Sequence, residues 1–371
     1  MYAVHRRAGA WELMLHANLF AQFLYESAAD EHRQAEQAGS INWLMGMARR
    51  PVGAGVAGLR AMLSLEPWTI PGCGYPDLLA TGETCDGETI HDRQHPHDLF
   101  MELAAEYGRP LAGPYRWQLY GGLAGEPALG PVAYPHRLSA LPNLVAPIGH
   151  HWLDATHITF GVVTAGVYSD RIKVEASVFN GREPDENRTD LDLAPLDSFA
   201  GRLTFAPTPV WTLQVSAGRL AEAEEGHDGG PRIDVTRVTA SAIHYCPLGS
   251  AGWWAATLAW GANVEEGRQT NAVLAESVFT FNGLDTWFGR LEAGGKPAHD
   301  LHVHESDEVF TVGKVQIGYV RYFSPAAGWQ PGVGASLSLS IVGSDLAPRY
   351  GGRVAPGFGV FVTLRPAVHR M

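Results

Sequence analysis

WELMLHANLFAQFL, residues 11–24, sorts its side chains with a period of two. The odd positions are Trp11, Leu13, Leu15, Ala17, Leu19, Ala21 and Phe23. The even positions are Glu12, Met14, His16, Asn18, Phe20, Gln22 and Leu24. Successive residues of a strand point to opposite faces, so one face here is wholly apolar and the other is mixed. A helix, with its period of 3.6, would not separate these residues. The apolar face suits lipid and the mixed face suits a wet interior.

The alternation recurs along the chain. Val56–Pro67 sets Ala57, Leu59, Ala61, Leu63 and Leu65 against Arg60, Ser64 and Glu66. Asp98–Tyr107 sets Leu99, Met101, Leu103, Ala105 and Tyr107 against Glu102 and Glu106, although its spacing also fits a helix. Tyr115–Glu126, Arg171–Gly181, Trp253–Val264 and Val333–Gly343 behave alike. Weaker segments are Ile41–Arg49, His157–Tyr168, Phe199–Pro207, Val210–Leu220, Asp234–Tyr245, Asn271–Phe281, Thr286–Ala293, Thr311–Tyr322 and Gly357–Arg365. The expectation is an all-β chain of about sixteen antiparallel strands, within a range of about 14–18, closed into one transmembrane β-barrel over residues 1–371.

Connection lengths support this. Short turns fall near 49–55, 108–114, 169–170, 208–209, 246–251 and 282–285. Long loops span roughly 25–39, 68–97, 127–156, 182–198, 221–233, 294–310 and 344–356; the short 265–270 and the longer 323–332 break the rhythm. Outer-membrane barrels join their strands this way, with short periplasmic turns and long extracellular loops. An even strand count puts both termini on the short-turn side. No stretch of about 18 apolar residues offers a transmembrane helix. Mean hydropathy is -0.08, as expected when half of every strand faces a polar interior. Charged residues are 18%, and Gly (43) and Trp (11) are abundant. Met1–Arg7 carries charge but leads into a strand-like segment and not an apolar signal region, so export requires a leader already removed or lying before Met1. The net charge of -12 speaks against nucleic-acid partners.

Cys73 and Cys85 share one long loop, and an oxidising compartment would join them; Cys246 is left unpaired. HDRQHPHD (91–98) supplies His91, Asp92, His95, His97 and Asp98, with the stiff Pro96 between two imidazoles. GHHWLDATH (149–157) supplies His150, His151, Asp154 and His157, with His136 earlier in its loop, and AHDLHVHESDE (298–308) adds a third cluster, from His299 to Glu305. Most histidines thus lie on the long-loop side. Imidazoles with carboxylates hold Cu or Zn, which makes His91, His95, His97, Asp98, His150, His151, Asp154 and His157 candidate ligands. No HExxH-type spacing is present, and packing of the loops into a constriction explains the same residues. The acidic stretch 181–197 could take Ca²⁺ or bridge to lipopolysaccharide, or could satisfy itself through Arg182 and Arg188.

Charged strand residues belong inside the barrel. Arg60, Arg116, Arg171, Lys173, Arg202, Arg290 and Lys314 would face Glu66, Glu102, Glu106, Glu175, Glu276 and Glu292, either as opposed rows across a pore or as pairs stiffening the wall. Ser198, Ser241 and Ser277, with His244, are the only hint of a lipid hydrolase, and no GxSxG element supports it.

The whole of Trp11–Arg365 resembles bacterial outer-membrane β-barrels of the porin-like kind. HDRQHPHDLFMELA, GHHWLDATHITFGVV and FNGREPDENR resemble signature segments of a proteobacterial outer-membrane family that brings no activity with it, so no catalytic assignment follows. The resemblance implies a Gram-negative outer membrane, contact with its lipid and lipopolysaccharide, and homo-oligomers as an option. The expected function is passage or binding of a small polar solute, linked to metal ions through the His-rich loops. The alternatives are a lipid-modifying hydrolase and a non-conducting structural or adhesive barrel.

Overall fold

The computed structural model describes residues 2–29, 33, 35–224, 230–303, 306 and 308–367. Its strands run, in chain order, β1 (Ala3–Ala8), β2 (Trp11–Glu26), β3 (Ala35–Gly39), β4 (Asn42–Val52) and β5 (Gly55–Leu63). A long outer connection then carries a hairpin of its own, β6 (Tyr75–Cys85) and β7 (Glu88–Gln94). The wall resumes with β8 (Phe100–Pro110), β9 (Arg116–Ala124), β10 (Val162–Tyr168), β11 (Ile172–Phe179), β12 (Ser198–Thr208), β13 (Trp211–Glu224) and β14 (Ile233–Leu248). It ends with β15 (Gly252–Glu265), β16 (Arg268–Thr280), β17 (Asp285–Pro297), β18 (Val309–Tyr322), β19 (Trp329–Val342) and β20 (Val354–Pro366).

Every wall pairing is antiparallel, and β2 closes the barrel on β20 through Leu19↔Leu364 to Glu26↔Gly357. The other half of the same β2 edge pairs with β1, from Ala3↔His16 to Ala8↔Trp11. β1 therefore continues β20 as one wall strand, and β3 and β4 together form another along the opposite edge of β2. With these two composites the barrel has 16 strands. Each of the sixteen expected segments overlaps one of them. The short β1 and the inserted hairpin were not expected, because a six-residue strand and a polar hairpin show no long alternation. The described chain ends also differ from expectation: they meet inside the wall, with the Arg365 guanidinium between the rings of Tyr2 and Tyr322 at 3.6 and 3.4 Å.

Outward positions are apolar around the whole circumference, with Leu258 and Leu337 exposed at 62% and 64%. The wall closes on itself where β2 meets β20, and closure is what a lipid environment demands of a sheet. Trp117, Trp211, Trp254 and Trp287 stand near the short-turn ends of their strands, where amphipathic rings suit an interface. The turns there are tight; Gly9 at φ 61° and Gly53 at φ 57° supply the left-handed backbone that two-residue hairpins need.

Two β-bulges correct the face expected for one segment. The β5–β8 register slips between Met62↔Glu102 and Leu63↔Phe100, leaving Met101 as the extra residue. Met101 turns inward and is 2% exposed, so it does not share the outward face of Leu99 and Leu103. The register slips again between Leu103↔Ala124 and Ala104↔Gly122. Strand β5 also ends earlier than its pattern suggested; one helical turn, Glu66–Thr69, follows and carries Glu66 into the interior.

The core is the filled lumen. Residues 125–161, between β9 and β10, fold inside the barrel and are mostly buried. Their composition explains this: from Pro127 to Gly149 the only full charge is Arg137. Inward polar side chains of the wall satisfy the loop's backbone, as buried peptide groups require. Asn18 donates to the Leu141 carbonyl at 2.8 Å, Ser177 accepts from Ala128 N at 2.7 Å, and Ser216 accepts from Gly130 N at 2.9 Å. Trp152 Nε1 donates to Thr270 at 2.7 Å. Gly261 lies so close to the loop that a Cβ would sit 2.1 Å from the Trp152 carbonyl oxygen.

Candidate functional site

The inner loop packs mainly against the wall formed by β13–β18 and touches the remaining wall at Asn18, Ser177 and Arg202, leaving part of that side open. A cavity of about 590 Å³ remains there, bordered by β2, β4, β5 and β8–β12 and by the loop's own Val132, Ala133 and His136. It reaches toward the short-turn end through His5, Glu12 and Arg49. Above it, nearer the long loops, three much smaller voids of about 40, 20 and 20 Å³ lie between the packed loops.

Charges border this cavity in neighbouring pairs. Arg60 meets Glu106 at 3.1 Å and Glu102 at 3.6 Å, and Arg49 meets Glu106 at 2.9 Å. Arg202 bridges Glu126 and Glu175, each at 3.2 Å, and Lys173 reaches Glu175 at 2.7 Å. Most of these are contacts between strands on one side of the barrel; Lys173 and Glu175 share β11, and Glu126 belongs to the inner loop. The partners stand beside one another and not in rows facing across a pore.

Of the residues expected to line a pore, Arg60, Glu102, Lys173, Glu175 and Arg202 border the cavity. Arg116 and Arg171 are exposed beside the short turns. Arg290 and Glu292 point inward beneath the inner loop. Arg290 donates to the Val145 carbonyl at 3.0 Å and pairs with Glu276 at 3.2 Å, while Glu292 accepts from Gly149 N at 3.3 Å.

The expected metal ligands divide. His91 stands apart: its ring lies 4.1 Å from that of His302, and its Nδ1 lies 3.0 Å from Asp92. The other histidines of the two motifs converge between the cavity and the outer voids. Ring centroids are 5.3 Å apart for His97 and His157, 5.1 Å for His150 and His157, 5.5 Å for His150 and His151, and 5.9 Å for His95 and His151. Four meet a carboxylate: His95 with Glu83 at 3.0 Å, His97 with Glu66 at 2.9 Å, His150 with Asp154 at 2.8 Å and His151 with Glu183 at 2.9 Å; the second nitrogen of His97 is also taken, 3.0 Å from the Tyr134 hydroxyl. His157 donates from Nδ1 to the Asp154 carbonyl at 2.9 Å, and its buried Nε2 has no partner, like that of His151. Asp98 contacts Arg188 at 3.5 Å, and Arg188 also pairs with Glu83.

Burial dominates the protonation of this layer. It holds His95 and His136 at about 3 and pushes His150 and His157 below the usual imidazole range, so all four are neutral at pH 7. His97 goes the other way: burial alone would lower it, and Glu66 overcomes that. Burial raises the Asp98 carboxyl to about 7 against the pull of Arg188. Asp154 is held low by Arg137 and His150 in spite of its burial. Arg137 is the anchor, with Asp154 at 2.6 Å and Glu276 at 2.7 Å.

Among the described residues, and leaving aside the disulfide cysteines, two groups bring three candidate donor atoms within 4.8 Å of one another. They are His151–Glu183–Glu224 and Asp185–Asp190–Asp192. Cys73 and Cys85 form the expected disulfide, with Cα atoms 5.7 Å apart, and Cys246 is free. In the third histidine cluster His299 meets Asp300 at 2.8 Å and His302 Nε2 lies 2.9 Å from the Thr89 carbonyl; His304 and Glu305 fall outside the described residues. The acidic loop satisfies itself only in part: Arg182 pairs with Asp197 but also with Glu222 outside the stretch, and Arg188 turns away to Glu83 and Asp98.

None of Ser198, Ser241 and Ser277 pairs with a described histidine. Ser241 is buried on the inward face and donates to Gln214 at 3.1 Å. Its near neighbour His244 lies three positions on, facing outward between the rings of Trp211 and Trp254. Ser277 accepts from Trp254 Nε1 at 2.9 Å, and Ser198 bonds Asp197 and Ala221 N. Sequence reading placed Glu66 inside without linking it to His97, and missed Glu83, Tyr134 and Arg137. The signal for Arg137 was present, as the single full charge of an apolar loop.

The fold is shared with solved outer-membrane porins. The chain is similar to the anion-selective porin from Comamonas acidovorans, with TM-score 0.57 and 10% identity over 96% of this chain and 100% of that one. It is similar to Salmonella typhi OmpF, solved in complex with daunomycin, with TM-score 0.57 and 8% identity over 98% and 100%. It is also similar to Vibrio cholerae OmpT in its trimer form, with TM-score 0.52 and 9% identity over 96% and 99%. No protein-family description and no curated protein sequence matches.

Proposed function

We propose that this chain is a porin-like barrel of a Gram-negative outer membrane, surrounded by lipid and lipopolysaccharide, that admits a small polar solute to the cavity beneath its inner loop. The observation that carries the reading is the cavity's charge. It is bordered by Arg49, Arg60, Lys173 and Arg202 and by Glu12, Glu102, Glu126 and Glu175, four of each sign. Its volume lies within the range of small-molecule sites. Balanced, adjacent charges favour a neutral or zwitterionic solute over an ion of one sign. A homo-oligomer fits the same reading, since one of the similar barrels is described as a trimer. The test is uptake into vesicles carrying the folded protein, with glycine and lysine as probes beside planar-bilayer conductance. Faster entry of the zwitterion is expected. A folded barrel that is silent in bilayers and admits neither probe overturns the reading.

A metal link has one specific support, at the outer rim. His151, Glu183 and Glu224 converge beside a 40 Å³ void also bordered by Glu265 and Asp300, and the His151 Nε2 is unpartnered. An imidazole with carboxylates suits Zn²⁺. Calorimetric titration with Zn²⁺ is expected to show one site lost in Glu183→Gln/Glu224→Gln; equal binding by that variant excludes it.

A further inference from the structure

The chain has seven methionines, at positions 1, 14, 45, 47, 62, 101 and 371. All five internal ones border the same cavity. The strand registers set them side by side: Met14 opposite Met47 across β2 and β4, and Met45 opposite Met62 across β4 and β5. The bulge in β8 turns Met101 in beside them. His16 stands opposite Met45, and its ring lies 5.9 Å from that of His136. Among the described residues neither ring has a hydrogen-bond partner.

Methionine in a protein interior is usually a flexible filler of gaps. Met45, Met62 and Met101 do pack beside Trp43, Ile158 and Phe160, yet all five side chains also border the open cavity of about 590 Å³, which filling alone does not explain. Where the lumen is packed, on the side of β16–β20, the inward apolar residues are of other types, such as Val278, Phe288, Val320 and Phe361. Directly opposed side chains on one sheet face have Cβ atoms about 5 Å apart, so neighbouring thioethers can reach a common point. Thioether sulfur with neutral imidazole is a soft, uncharged donor set, which selects Cu(I) over Zn²⁺ or Ca²⁺.

We propose that the cavity binds Cu(I) through the thioethers of Met45 and Met62 with the His16 imidazole, and that Met14, Met47 and Met101 supply alternative sulfur contacts. This rests on reading the cavity as the solute site and names a soft monovalent cation as a solute. The ion binds already reduced, so no redox step is involved.

The test uses the purified, folded barrel in detergent under anaerobic conditions, with Cu(I) competed against a colorimetric Cu(I) chelator and Ag(I) as a redox-inert second probe. One equivalent of Cu(I) bound per chain is expected, with sulfur neighbours in X-ray absorption. Met45→Leu/Met62→Leu keeps side-chain volume, so the barrel folds, as its gel mobility shift on heating checks. Its Cu(I) affinity is expected to fall by about 100-fold or more, beyond what loss of an outer-shell partner costs. No competition by the parent, or equal competition by the variant, overturns the proposal. Vesicle uptake separates the two readings: if glycine enters and Cu(I) does not bind, only the copper inference falls. If Cu(I) binds and neither amino acid enters, the polar-solute reading falls.

Discussion

Arg137 pins the inner loop to the wall, and its removal should open the barrel. Its side chain is fully buried and bonds Asp154 and Glu276, which hold residues 125–161 against β16. Arg137→Met keeps most of the volume and removes the charge. Breaking one partner of a buried ion pair costs about 3–5 kcal/mol because the other charges stay buried. Here the low end applies. Asp154 retains His150 and the Tyr134 backbone N–H, each at 2.8 Å, and Glu276 retains Arg290 at 3.2 Å and Ser139 at 2.8 Å. A cost of about 3 kcal/mol shifts the ratio of docked to undocked loop by roughly 100-fold. The barrel itself is held by its backbone ladder and should keep its heat-dependent gel mobility. Planar-bilayer recordings should then show larger or more frequent openings, and limited proteolysis should cut within 125–161. Unchanged conductance and unchanged protection in a folded Arg137→Met barrel would refute the view that this ion pair sets the constriction.

Acid should loosen the loop layer. His95, His136, His150 and His157 are kept neutral by burial, two of them down to about 3, whereas in the undocked loop they protonate near 6.5. The undocked state therefore binds more protons below 6.5, and docking weakens as pH falls from 6.5 toward 3. Asp98, raised to about 7 by burial, opposes this between about 4 and 7, and His97, raised by Glu66, opposes it above about 6.5, but they are two groups against four. Proteolysis of 125–161 that is no faster at pH 5 than at pH 7.5 would contradict the assignment. The outward face makes a second demand: Leu258→Arg, in the middle of β15, should cost about 2–4 kcal/mol of folding stability in bilayers, while Leu258→Val should cost little. Equal urea midpoints for the two in lipid vesicles would remove Leu258 from the lipid-facing surface.

Much of the wall was legible because it obeys a local rule. Side chains alternate across a strand wherever one face meets lipid and the other does not, so Trp11–Leu24 identifies itself without knowledge of its neighbours. The rule fails where register is irregular. Met101 looks outward by parity and is inward because of a bulge fixed by pairing with β5, a relation between strands that no single segment encodes.

The sequence alone determined a closed antiparallel barrel of sixteen strands, its apolar exterior, its two classes of connection and the disulfide loop, all of them consequences of local periodicity and spacing. Only the tertiary structure decided what occupies the lumen. Arg290 and Glu276 read as pore residues in the sequence, yet a loop more than a hundred residues distant covers them. Two histidine motifs separated by some fifty residues meet because β8 and β9 return the chain to the same rim. Five methionines scattered from position 14 to 101 share one cavity because the barrel curves β2, β4, β5 and β8 around it. Such contacts join distant parts of the chain through closure of the sheet, and closure is a property of the whole wall that no residue pattern along one strand contains.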